Sequence, residues 1–117
     1  MSVSGSRLLI TELQPAAGAD AVVLLAGELD TVTSADLREA VTGLAARRTR
    51  PARLVLDLSG VTYCDNASLY TLLGICHALG MVGITVVITG TAAVVREALH
   101  RNRLAERLPM QVKPTAL

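Results

Sequence analysis

The sequence has no tryptophan, no phenylalanine and only two tyrosines, Tyr63 and Tyr70. Single-stranded nucleic acids are held largely by bases stacked on aromatic rings, so that platform is missing here. A net charge of +1 argues for no particular polyanionic partner. The arginines gather in two places, Arg47, Arg48, Arg50 and Arg53, then Arg96, Arg101, Arg103 and Arg107. Both groups read as solvated helix ends rather than a groove-reading face. Cysteine is scarce. Cys64 and Cys76 form no CxxC pair and no Cys/His cluster, so no metal site is expected, and both thiols read as reduced core fillers. The chain has no P-loop, no GxGxxG and no Ser/His/Asp order. Asp57 and Asp65 are eight residues apart, but nothing else supports a paired acid/base site. The expectation is therefore no enzyme, no cofactor and no nucleic acid.

Charge is absent from a long stretch. No Asp, Glu, Lys or Arg occurs between Asn66 and Val95. Within it, Leu72 to Ile88 approaches the ~20 apolar residues that cross a bilayer. Gly80 and Gly83 interrupt the run, however. Before them the apolar spacing is helical, and after them Ile84-Thr85-Val86-Val87-Ile88 is β-branched and strand-like. A span would also leave His77 unpaired near the membrane midplane. The N-terminus has no basic region followed by a long apolar one, so no signal peptide is read. The expectation is a cytoplasmic protein with no membrane partner.

What is present is a core. Half of the 117 residues are hydrophobic, enough for one domain over 1–117 with its core at about 8–110. Leu8 to Gln14 reads as a strand, Pro15 to Asp20 as a turn and Ala21 to Leu29 as a second strand, antiparallel to the first. Thr33 is placed as an N-cap, with Asp36 completing a capping box. Leu37, Val41, Leu44 and Ala45 then form one buried stripe. Arg47, Arg48 and Arg50 suit that helix's C-terminal end, and Pro51 stops it. Arg53 to Leu58 is the third strand. Its continuous Leu54-Val55-Leu56 run predicts a central strand covered on both faces. Asp65 or Asn66 caps a second helix to about Leu79, ended by Gly80. Val82 to Thr89 is the fourth strand. Thr91 caps a third helix to about Arg101, with Val94, Val95, Ala98 and Leu99 inward. Leu104 to Val112 is left as a short helix or an edge strand.

This order predicts an α/β domain with a mixed, mostly parallel sheet of four to five strands and helices packed against it. Right-handed crossovers make the central strands parallel. The loops at 28–34 and 63–68 then share one sheet edge, bringing Asp30 and Thr31 near Asp65 and Asn66. On the second helix, Leu69, Leu72, Leu73, Cys76 and Leu79 fall on the buried arc. Asn66, Ala67, Tyr70, Thr71, Gly74, His77 and Ala78 fall on the opposite one. Exposed helix faces normally carry charge, so this smooth neutral arc reads as a partner surface.

Three segments carry a family resemblance. Gly27-Glu28-Leu29-Asp30 with Thr33 and Leu37 resembles the GELD…T…L stretch of STAS domains, specifically bacterial anti-sigma factor antagonists. Leu56-Asp57-Leu58-Ser59-Gly60-Val61-Thr62-Tyr63 is similar to that family's DLSGVTF strand and turn. Val95-Arg96 with Leu99 and Leu104 resembles its late V-R…L…G-L helix. The match spans about residues 8 to 110, in order and spacing. It implies a non-enzymatic regulator that binds an anti-sigma factor, often a serine kinase of the GHKL ATPase type, and so frees a sigma factor. In the family the kinase silences the antagonist by phosphorylating the serine of a D-S-x-G-L turn.

The turn here is Asp65-Asn66-Ala67-Ser68-Leu69. Asn66 stands at the phosphoserine position. It has no hydroxyl to modify, it lacks a phosphoserine's charge, and it is a good N-cap. Ser68 stands where the family has glycine. On an ideal helix Ser68 falls at the edge of the buried arc, a poor substitute acceptor, and Thr71 lies a full turn into the helix. Arg103 replaces the glycine of the late G-L pair, so Asn102 is expected to stop the third helix. Asp30, Thr31, Asp65, Asn66, Tyr70 and His77 are the expected partner-binding residues. Two alternatives stay open. One is a STAS scaffold or sensory module, with a homodimer or larger complex. The other is a nucleotide- or small-molecule-binding domain using the turn's N–H groups.

Overall fold

The computed structural model describes residues 7–13, 20–47, 53–104, 106 and 107. Strand β1, Leu8–Leu13, turns its even residues inward, and β2, Ala21–Leu29, buries Ala21, Val23 and Leu25 on the same side. Helix α1, Thr33–Ala45, buries Leu37, Val41 and Leu44 along the expected stripe. Strand β3 runs from Arg53 to Cys64, and helix α2 from Asn66 to Met81. Strand β4, Thr85–Thr89, and helix α3, Ala93–Arg101, complete the order. The turn expected at 15–19, and residues 108–112 of the expected terminal element, lie outside the described residues.

The sheet order is β1-β2-β3-β4. β1 and β2 are antiparallel, while β2/β3 and β3/β4 are parallel. Two successive right-handed crossovers that step the same way along a sheet put both connecting helices on one face. Accordingly α1 packs over β1 and β2, α2 lies beside α1 against β4, and α3 rests against β3 and α2. Leu25, Leu54, Leu56, Leu58, Leu69, Leu72 and Ile88 are wholly buried between these layers. Burying each such side chain contributes roughly 1.5–3 kcal/mol.

The other face differs from the sequence expectation. Val55, flanked by strands on both sides, is only half-buried, as are Val22, Leu24 and Val87. Leu9 and Leu13 are 49% and 47% exposed. The apolar run of β3 is covered on one face, not two.

Several element ends also move. α1 starts at Thr33 without a side-chain cap and stops at Ala45, so the arginines do not sit within it. Arg47 instead pairs with Glu12 on β1 at 2.8 Å, while Arg48 and Arg50 lie outside the described residues. α2 continues through Gly80 to Met81, and Gly83 makes the turn with φ +86°. Ile75, absent from the expected buried arc, is buried. Thr91 does not cap α3, whose N-cap position is Ala92 with no side-chain bond. Asn102 does not take the helix-stopping conformation either. Arg103 does, with φ +55°. Among the described residues, no helix is long and apolar enough to cross a membrane.

Candidate functional site

The site begins where β2 and β3 end together. Leu29 is paired with Cys64, and the Asp65 N–H donates to the Leu29 carbonyl at 3.2 Å. The two turns that follow therefore lie side by side on one sheet edge, which joins Asp30 and Thr31 to Asp65 and Asn66.

The 30–33 turn is held from within. Asp30 Oδ1 accepts the N–H groups of Val32 and Thr33, each at 2.9 Å. Thr33 Oγ1 accepts the Asp30 N–H at 2.9 Å and donates to the Glu28 carbonyl at 2.8 Å. Asp30, rather than Thr33, thus satisfies the first donors of α1. Arg7 ties the turn to β1, with one nitrogen 3.0 Å from Glu28 Oε1 and the other 2.5 Å from Asp30 Oδ2. The Thr33 N–H above all holds the Asp30 carboxyl below its ordinary range. Burial opposes it, while the Val32 N–H and Arg7 assist. Asp30 is nearly buried, so its part is to shape the turn. The exposed groups are Thr31 and Val32, the latter 67% accessible. Sequence reasoning passed over Val32, although an aliphatic residue between two turn threonines was its signal.

The 65–68 turn is as firmly built. Asp65 is extended, with φ −91° and ψ 169°, and its Oδ1 accepts the Ser68 N–H at 2.8 Å. Asp65 is therefore the N-cap of α2. Ser68 Oγ donates back to the Asp65 carbonyl at 2.8 Å and lies 3.5 Å from Cys64 Sγ. Ser68 is fully buried. Burial raises the Cys64 thiol pKa, with the Ser68 hydroxyl opposing. Thr71 is half-buried and donates to the Ala67 carbonyl at 3.2 Å.

Asn66, the first residue of α2, is exposed and caps nothing. Its Oδ1 accepts from Asn102 Nδ2 at 2.9 Å, and the same amide donates to the Ala98 carbonyl at 2.8 Å. Asn102 thus joins the end of α3 to the start of α2, a partnership with no short-range sequence signal. Tyr70, 50% exposed, stands one turn along. It borders a groove of about 550 Å³ between α1 and α2, floored by Val41, Ile75 and Leu79, with Arg38 on its rim. Ala67, Gly74, His77 and Ala78 are exposed on the same helix. His77 lies apart from the others, in a second groove with Cys76, Gly80 and Arg107. Among the described residues, no three His, Cys, Asp or Glu side chains gather as metal ligands would.

Residues 8–115 match the STAS domain family. A structure of the anti-sigma factor antagonist SpoIIAA in its unphosphorylated form superposes with a TM-score of 0.71 at 15% identity, covering 91% of this chain and 89% of that one. An anti-sigma factor antagonist from Mycobacterium paratuberculosis superposes with a TM-score of 0.73 at 24% identity, covering 94% and 89%. SLC26A9 gives a TM-score of 0.67 at 17% identity, covering 81% of this chain but only 18% of that one. At these identities the likeness is one of fold. No curated protein sequence matches the chain.

Proposed function

From the premise that the chain belongs to the STAS domain family, we propose that it is an anti-sigma factor antagonist-like regulator working in the cytoplasm. It binds an anti-sigma factor of the GHKL serine-kinase type and controls sigma-dependent transcription by partner switching. Thr31, Asn66 and Tyr70 make the contact, with His77 at its far end, and Asp30 and Asp65 hold the two turns in shape. Phosphorylation of the turn plays no part.

The observation that carries this reading is the state of position 66. The turn keeps an exposed residue at the first position of α2, beside the 30–33 turn. That residue is an asparagine already bonded to Asn102. Ser68, the serine of that turn, has its hydroxyl buried against Asp65 and Cys64. A kinase would have to unwind the first turn of α2 to reach it.

The alternatives have less support. A nucleotide's phosphate at the start of α2 would lie against the Asp65 carboxylate, which already holds the Ser68 N–H, and like charges repel. The same fold occupies 18% of SLC26A9, so a module within a larger assembly remains the second reading.

The test uses the GHKL-type kinase encoded nearest to this protein, with radiolabelled ATP. The two proteins are expected to co-elute while the antagonist stays unlabelled. Label at residues 66–71 would refute the phosphorylation-independent mechanism. Loss of co-elution would remove the partner assignment.

A further inference from the structure

The face of the sheet that bears none of the described helices is apolar and has a regular layout. Leu13 pairs with Val22, Val22 with Val55, and Val55 with Val87. In-register partners in adjacent strands point to the same face. These four side chains therefore form one aliphatic row across all four strands. Leu24 and Ala26 extend the patch toward the far end of β2, with Leu9 beside Ala26. A parallel sheet with two apolar faces normally has both covered, and soluble proteins seldom leave such a patch bare.

Two charges flank the row on β3, one on each side of Val55, and neither is fully satisfied. Asp57 has one oxygen bonded to the Ser59 N–H at 2.9 Å, and among the described residues no cation pairs with it. Arg53 has its Nε buried without a hydrogen bond, 3.5 Å from Asp20 Oδ2.

We infer that this face is the contact surface between two copies of the chain, packed sheet on sheet about a two-fold axis along the Leu13–Val87 row. That axis reverses the strand direction in the second copy. Val55 then meets its own counterpart. Arg53 of each copy faces Asp57 of the other, two equivalent ion pairs around an aliphatic strip. The arrangement is self-complementary, as a two-fold interface must be. It also matches the aligned packing of β-sandwiches, with sheets roughly 10 Å apart. Three rows on four strands span only roughly 15–20 Å each way. The area falls at the low end of specific interfaces, so the dimer is weak and concentration-dependent. It leaves the 30–33 and 65–68 turns and the α1/α2 groove facing outward, and it does not depend on the function proposed above.

Sedimentation velocity from about 10 μM to about 1 mM tests this, a range bracketing weak association. The wild-type chain is expected to shift from monomer to dimer across it. Val55→Lys should hold it monomeric while circular dichroism stays native. Arg53→Glu and Asp57→Lys should each be monomeric alone. Mixed, they should form a heterodimer. There the carboxylate introduced at 53 meets the ammonium introduced at 57, and the native pair meets across the other side. Should Asp57→Lys fail to fold, Val55→Lys still decides. A wild-type chain that is monomeric at 1 mM, or a dimer unaffected by Val55→Lys, would overturn the inference.

Discussion

A single amide group distinguishes position 66 from a modifiable one. Asn66 is among the best N-capping residue types, yet it sits one residue inside the helix and spends its oxygen on Asn102. Asp65 does the capping, through the Ser68 N–H. The two roles have different energetic weights. Removing an N-cap costs about 1 kcal/mol and up to about 2, while an exposed side-chain hydrogen bond falls at the low end of its usual range, roughly 0.5 kcal/mol. Asp65→Ala is thus expected to lower the urea midpoint clearly, and Asn66→Ala only slightly. Equal or reversed shifts would show that Asn66 caps α2. The sequence made Asp65 and Asn66 equal candidates because both side chains suit the role. What separates them is the length of β3, whose pairing with β2 persists to Cys64 and leaves Asp65 extended. The exposure of Asn66, Tyr70 and His77 was legible from helical period alone, as was the seclusion of Ser68. The Asn66–Asn102 bond was not, because it joins residues 36 apart in sequence.

At the scale of the elements, type and order were legible and the ends were not. Glycine shows why. Gly80 has the composition of a helix stop, but α2 carries it within its last turn, and Gly83 takes the positive φ. The end of α3 is the reverse case. The residue there with a left-handed backbone is Arg103, at φ +55°, where the family pattern has glycine. The Leu104 N–H bonds back to the Leu99 carbonyl at 2.9 Å, which closes the helix whatever residue occupies 103. That closure anchors Leu104 in the core. A non-glycine residue in this conformation costs roughly 1–2 kcal/mol, against roughly 0.5–1 kcal/mol of extra chain entropy that glycine must lose. Arg103→Gly is therefore expected to stabilise the protein by roughly 0.5–1 kcal/mol, read as a higher midpoint of thermal or urea unfolding. A destabilised variant would mean that the Arg103 side chain makes a compensating contact.

For the molecule as a whole, the sequence resolved the layers but not their number. Leu54-Val55-Leu56 reads as covered on both sides, and only the strand order β1-β2-β3-β4 reveals that both crossover helices fall on one side. The core is therefore a single layer, and its opening is expected to be all-or-none. The two thiols report on this. Cys64 closes β3 and is buried, and it couples strand, turn and helix through Ser68. Cys76 is half-buried, and burial pushes its thiol up to about 11. At pH 8 that leaves about one Cys76 in a thousand as thiolate, the form that reacts. The sign of the pH effect follows. The neutral thiol is favoured by folding, so its contribution is complete below the unfolded value of ~8.5 and is lost as pH rises toward the folded value. Maleimide labelling at pH 8 is expected to be far slower for both thiols than for a free one. For Cys64 its urea dependence should match the slope of global unfolding, because the thiol is held between the β2 pairing at Leu29 and Ser68 of α2, and both must open to free it. Labelling of Cys64 that ignores urea would mean that the β3–α2 junction opens by itself, and the turn at 65–68 would then be a locally mobile surface rather than a preformed one.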